Sequence, residues 1–218
     1  MSKYNQGYLG AQIGKLGNAV GRMWKGRPVM AVYQPNVHNP RTEAQQMVRA
    51  KFAVLAQLSS AFLSGIREGM GFEAKRYRLT EGNVFIRRNY SQVTAASPDD
   101  VSINYSGLSV SDGNCPEASF GQVDFGTGQH LQISAPLTGG GDQPGADDND
   151  SVYLFAYCPE MKQGVLGSAA KRSAASVAVN VPARWDGMDV HVYGFVVSCN
   201  RQHPTTSATT YCGSGEVA

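Results

Sequence analysis

Ser151-Val152-Tyr153-Leu154-Phe155-Ala156-Tyr157-Cys158 sets the period of the C-terminal half of the chain. Successive side chains of an extended strand point to opposite faces, so Tyr153, Phe155 and Tyr157 share one face and Val152, Leu154 and Cys158 the other. The same period of two recurs at Val101, Ile103 and Tyr105, at Val123 and Phe125, and at Leu131 and Ile133. It returns at Val177, Val179 and Val181, and at Val190, Val192 and Val196 set against Tyr193 and Phe195. About seven strands separated by Gly, Pro, Asp and Ser turns predict an immunoglobulin-like β-sandwich over residues 98–218. Trp185, just before the Asp186-Gly187 turn, is expected to pack over one end of it.

Upstream the period changes. Residues 91–98, with Ser97-Pro98, read as a linker. Residues 1–17 are rich in glycine, which disfavours a helix by roughly 1 kcal/mol per residue, and read as an extended arm that needs a partner to order it. Residues 18–25 and 29–33 form a hairpin around Lys25-Gly26-Arg27. Asn39-Pro40-Arg41-Thr42-Glu43 is a helix start, with Asn39 as cap, Pro40 at the first helical position and Glu43 near the positive end of the dipole. Val48, Phe52, Leu55, Phe62 and Ile66 then follow one helical face, widened by Met47, Val54, Leu58 and Leu63, up to a stop near Gly69-Met70-Gly71. Thr80 caps a second short helix over 80–89. The fold class is therefore α+β: an arm, hairpin and helical region over 1–92, then the sandwich over 98–218.

The chain has 218 residues, 42% of them apolar and 17% charged, which is globular composition. Its net charge of +2 hides two opposite halves. Residues 1–90 hold 14 Lys and Arg against 4 Asp and Glu, and residues 91–218 hold 5 against 13. Such asymmetry fits subunits that meet head to tail, or two parts with different partners. Lys75, Arg76, Arg78, Arg87 and Arg88, beside Tyr77 and Tyr90, are candidate contacts for nucleic acid or another anion, or for acidic residues of a neighbour. Trp24, Phe52, Leu55 and Phe62 are candidate assembly contacts, because the helical stripe serves either an internal core or a partner.

No signature of catalysis emerges. The sequence holds no GxSxG elbow, P-loop, dinucleotide fingerprint or HExxH motif. His38, His130, His191 and His203 lie far apart, and His191 falls on the Tyr193/Phe195 face as a packing histidine. Cys115, Cys158, Cys199 and Cys212 form no CxxC and are expected as free thiols, Cys158 and Cys199 within strands. The loop 142–150, with Asp142, Asp147, Asp148 and Asp150, offers oxygen ligands for Ca²⁺ but lacks EF-hand spacing and reads as a solvated loop. The expectation is no cofactor, no metal and no membrane span. The first residues lack an apolar signal core, so a cytoplasmic location before assembly is expected.

At residues 14–27, Gly-Lys-Leu-Gly-Asn-Ala-Val-Gly-Arg-Met-Trp-Lys-Gly-Arg, and again at 39–45, Asn-Pro-Arg-Thr-Glu-Ala-Gln, the sequence resembles a Bacteroidota family of unknown function. The resemblance runs on through Phe85 to Trp185, Gly187 and Tyr193. It implies a bacterium or its phage as the source, and it transfers no catalytic residue. The expectation is a non-enzymatic, self-associating structural subunit of a virion, prophage-derived particle or filament. Its partners are copies of itself and other virion proteins. The alternatives are a nucleic-acid-associated protein and a monomeric carbohydrate- or surface-binding sandwich.

Overall fold

The computed structural model describes residues 2–3, 11–36, 40–126, 132–138, 144–200 and 204–217. The chain divides into two compact units, Met1–Thr42 and Glu43–Ala218.

The first unit is a four-stranded antiparallel sheet. Its strands are β1 (Ser2–Lys3), β2 (Gly14–Leu16), β3 (Ala19–Trp24) and β4 (Arg27–Val32), in the order β1-β4-β3-β2. Lys25 and Gly26, both at positive φ (46° and 74°), make the tight β3–β4 turn that right-twisted strands favour. The expected hairpin is present, but the segment before it is not one free arm: β2 pairs with β3 and β1 with β4. Residues 1–17 thus find part of their backbone partners inside their own unit.

The second unit opens with α1 (Glu43–Ala61), α2 (Leu63–Gly69), α3 (Gly71–Tyr77) and α4 (Glu81–Asn89). Pro40 lies three residues ahead of α1, not at its first position, and Asn39 lies outside the described residues. Thr42, a favoured capping type, stands next to the first helical residue. The expected stop near residue 69 is present, since α2 ends at Gly69 with Met70 as its cap, but α3 begins again at Gly71. Phe62 accepts from Ile66, and Ile66 accepts from Met70, each at 2.9 Å, so hydrogen bonding continues through α2 and into α3. Leu58, Phe62, Ile66, Met70 and Ala74 are all buried. A line of every fourth residue drifts about 40° per step round a straight helix, and the non-helical ψ values near zero at Phe62 and Met70 keep it on one face. Thr80 caps α4 by accepting from the Asn83 amide at 3.2 Å, as expected.

Ten strands follow. They are β5 (Val93–Ala95), β6 (Val101–Ile103), β7 (Ser119–Phe120), β8 (Gln132–Thr138), β9 (Ser151–Cys158), β10 (Gln163–Leu166), β11 (Ala170–Lys171), β12 (Ser176–Asn180), β13 (Asp189–Val197) and β14 (Thr210–Glu216). The larger sheet runs β10-β9-β13-β14, with β11 also on β9; a smaller one runs β12-β8-β7, and β5 pairs with β6. Between the two larger sheets lies one core, built from Val152, Leu154, Ala156 and Cys158 of β9 and Val190, Val192 and Val196 of β13 against Ile133, Ala135, Val177 and Val179. Trp185 is fully buried in that core. Phe155, Tyr157, Tyr193 and Phe195 form a second core with Leu58, Phe62, Ile66, Met70, Val84 and Phe85. Phe62 is its hub, with ring centroids 4.8 Å from Phe155 and 4.7 Å from Tyr157.

The fold is α+β, and the two faces read from residues 151–158 and 190–196 are the two faces observed. The two larger sheets enclose one core, and helices cover the aromatic face of the larger sheet as a third layer. The expected division at 92–98 falls inside the second unit, where β5 occupies part of the expected linker. Tyr105 sits in a 3-10 turn after β6, and Val123 and Phe125 flank a lone bridge at Asp124. Gly69 shows how closely helix and loop approach: a Cβ there would lie 2.5 Å from the Val110 carbonyl oxygen.

Candidate functional site

Lys75, Arg76 and Arg78 lie on or just after α3, Arg87 and Arg88 in the last turn of α4, and all five are exposed. Cations in a last turn complement the helix dipole. Two of the five are neutralised locally: Arg76 pairs with Glu73 at 3.2 Å, and Arg88 grips Asp112. The hydrogen bond from Arg76 to Glu73 raises the Arg76 pKa further above its ordinary value. Lys75, Arg78 and Arg87 have no carboxylate partner among the described residues. Tyr77, 45% exposed, lies under two guanidinium groups, Arg87 at 5.2 Å and Arg76 at 5.6 Å from the ring centre. Tyr77, Val84, Arg87, Arg88 and Asp112 line a cleft of about 330 Å³. Tyr90, the other aromatic named with this set, instead packs against Phe52 at 5.4 Å.

Arg78 terminates α3 in the left-handed conformation, φ 55° and ψ 40°. Leu79 donates to the Ala74 carbonyl at 2.9 Å and Arg78 to the Lys75 carbonyl at 3.2 Å, the pattern of a helix end that usually carries glycine. A side chain at such a position costs roughly 1 kcal/mol.

The four candidate assembly residues separate into two pairs. Leu55 and Phe62 are fully buried within the second unit and serve its own core. Trp24 and Phe52 are each 47% exposed. Phe52 was expected on the buried face with Leu55; it lies on the half of α1 that carries no buried residue, as does Val48, 43% exposed. Residues that the sequence reading left out of this set are also exposed: Ile13, Leu16, Met23, Val32 and Tyr33. Their signal was the strand register. Leu16 pairs with Ala19 and Ala19 with Val32, so these three share one face of the first sheet. That face continues through Gly14, Gly21, Met30, Met23 and Pro28 and carries no charge. The opposite face carries Lys15, Arg22 and Arg27, with Trp24.

The acidic loop is only partly described, since Asp142 and Gln143 lie outside the described residues. Asp150 is buried and committed to Arg172. Asp147 accepts from the Asn149 amide at 2.8 Å, which holds its carboxyl below the usual range. His38, His130 and His203 also lie outside the described residues. His191 shares a 2.9 Å hydrogen bond with the Tyr211 hydroxyl and stacks on Tyr105 at 4.5 Å. All four cysteines are free thiols; Cys199, expected in a strand, lies exposed beyond β13, and burial pushes the Cys212 thiol up to about 12. Among the described residues no helix is long and apolar enough to cross a membrane.

Neither the curated proteins nor the solved structures give a match to this chain. Its glycine-rich hairpin, its helices and nearly all of its sheets fall within one match, over residues 10–211, and the chain belongs to a family of unknown function, DUF6266.

Proposed function

We propose that this protein is a non-enzymatic structural subunit that associates with copies of itself through its first unit. The observation that carries the reading is the uncharged face of the first sheet. Leu16 is 59% exposed, Val32 75% and Met23 41%, on a four-stranded sheet in which, among the described residues, Val29 is the one large apolar residue buried. A sheet of this size is marginal in water until its apolar face is covered. Charge suits a second copy at the opposite face, which carries Lys15, Arg22 and Arg27. Residues 1–42 carry six Lys and Arg and no Asp or Glu, whereas residues 91–218 carry 13 Asp and Glu against 5 Lys and Arg. The basic unit of one copy therefore suits the acidic half of the next, a heterologous contact that builds rings or filaments. The half of α1 without a buried residue adds a second surface that gains from a neighbour. A virion, a prophage-derived particle or a filament, from a Bacteroidota bacterium or its phage, is the setting this reading gives.

Sedimentation of the full-length protein across concentration and salt tests it. Oligomers are expected that weaken as salt rises, and Leu16→Gln with Val32→Gln should give folded monomers, because it keeps the charge and removes the apolar row. A full-length protein that stays monomeric under all conditions rejects the reading in favour of a monomeric surface-binding module.

A further inference from the structure

We infer that the cleft at the ends of α3 and α4 binds single-stranded nucleic acid, with a base on the Tyr77–Arg87 platform and backbone phosphates at Lys75, Arg78 and Arg87. This goes beyond self-association and rests on different residues.

Three observations converge. Among the described residues, Lys75, Arg78 and Arg87 lack a carboxylate partner, while Glu73 and Asp112 are already committed to Arg76 and Arg88. Tyr77 is left 45% exposed in the middle of these cations, with Arg87 5.2 Å and Arg76 5.6 Å from its ring centre. Guanidinium planes and tyrosine rings are the surfaces on which unpaired bases stack. Arg78 holds a left-handed backbone where glycine would be unstrained. Complementing the helix dipole accounts for cations in a last turn, but not for an arginine kept at that strained position, nor for an aromatic ring left in solvent beside it.

The geometry also selects the ligand. The cleft of about 330 Å³, lined by Tyr77, Val84, Arg87, Arg88 and Asp112, falls at the small end of ligand sites and suits one base rather than a groove-filling helix. At seven and nine residues, α3 and α4 are short for duplex reading, and a base within a duplex offers no face to the platform. The Arg88–Asp112 pair supplies both donors and an acceptor at the cleft for a base edge or a sugar hydroxyl.

The test is fluorescence anisotropy of the full-length protein with a labelled oligothymidylate of about 20 nucleotides, in about 50 to 200 mM salt. Binding is expected to weaken with salt. Arg78→Gly and Arg87→Gln should each reduce the log–log slope by about 0.7. Tyr77→Ala should weaken binding about 5- to 150-fold with the slope unchanged. Arg78→Gly is the informative variant, because glycine suits that backbone, so its Tm should hold or rise while its affinity falls. No binding at low salt overturns the inference. So does binding that all three variants retain, and so does a Tyr77→Ala protein that binds as tightly as the wild type. If the variants leave oligonucleotide binding intact but disperse the oligomers of the full-length protein, the cations serve an acidic neighbour and the site is not a nucleic-acid site.

Discussion

Arg172 and Asp150 form an ion pair sealed inside the second unit, 3.4 Å apart, with side chains 2% and 1% exposed. The pair ties together segments distant in sequence. Arg172 donates to the carbonyls of Pro116 at 2.6 Å and Glu117 at 3.0 Å, while Asp150 accepts from the amides of Asp147 at 3.1 Å and Cys199 at 2.9 Å. Removing one partner strands the other as a buried charge. Arg172→Met should therefore lower stability by about 3–5 kcal/mol, and adding Asp150→Asn should recover part of that loss. Urea titration of Arg172→Met, Asp150→Asn and the double variant checks this, and losses that simply add would show that the pair is not coupled.

Leu55 and Phe52 are three residues apart on α1 and should respond in opposite ways. Leu55 is fully buried, so Leu55→Ala should cost about 2–5 kcal/mol in folding stability. Phe52, 47% exposed, loses mainly its contact with the Tyr90 ring, so Phe52→Ala should cost roughly 1 kcal/mol. Denaturant melts measure both. Sedimentation of the Phe52 variant then reports whether this face meets a neighbour.

Two glycines flanking Met70 differ in a way that only packing explains. A Cβ on Gly69 would meet the Val110 carbonyl oxygen at 2.5 Å, whereas one on Gly71 meets nothing within 4 Å. Gly69→Ala should destabilise by about 1–3 kcal/mol. Gly71→Ala should be neutral or slightly stabilising, since alanine favours the helix that begins there. Thermal melts of the two proteins separate the cases.

Burial lowers the His191 pKa, and the charge of Asp189 opposes the effect. Around the imidazole stand the Tyr211 hydroxyl at 2.9 Å and the stacked Tyr105 ring, with Tyr157 opposite on β9. Because the folded value lies below the ordinary 6.5, the unfolded chain takes up the proton first as pH falls. The contribution of His191 to stability should therefore be full above about pH 7, decline as pH drops through 6.5, and be lost below the folded value. Urea midpoints of wild type and His191→Gln at several pH values check this; the gap between them should narrow toward acid pH.

Several features of this protein follow from sequence alone, because they are local. The residues of 151–158 and 190–196 declare which side chains share a face, since alternation is a property of the extended backbone itself. Thr80 marks its helix because the bond from the Asn83 amide spans only three residues. The turn at Lys25-Gly26 and the five clustered cations of α3 and α4 were legible for the same reason.

Tertiary structure decided what covers each face. Periodicity grouped Phe52, Leu55 and Phe62, but it could not say that the rest of the second unit buries Leu55 and Phe62, Phe62 against the aromatic face of the larger sheet, and leaves Phe52 half exposed. Nor could it say that the aromatic face of β9 and β13 lies under helices rather than water. β14 escaped notice because Gly213, Ser214 and Gly215 carry no strand signal; pairing with β13 holds them in the sheet, with Gly213 at φ 131° beside a register shift. The fates of the charges were equally hidden, since Asp150 in an acidic loop and Arg88 in a basic run each found a counterion far along the chain. Alternation and capping act over a few residues and are written in them, whereas burial and ion pairing depend on what the rest of the chain brings alongside.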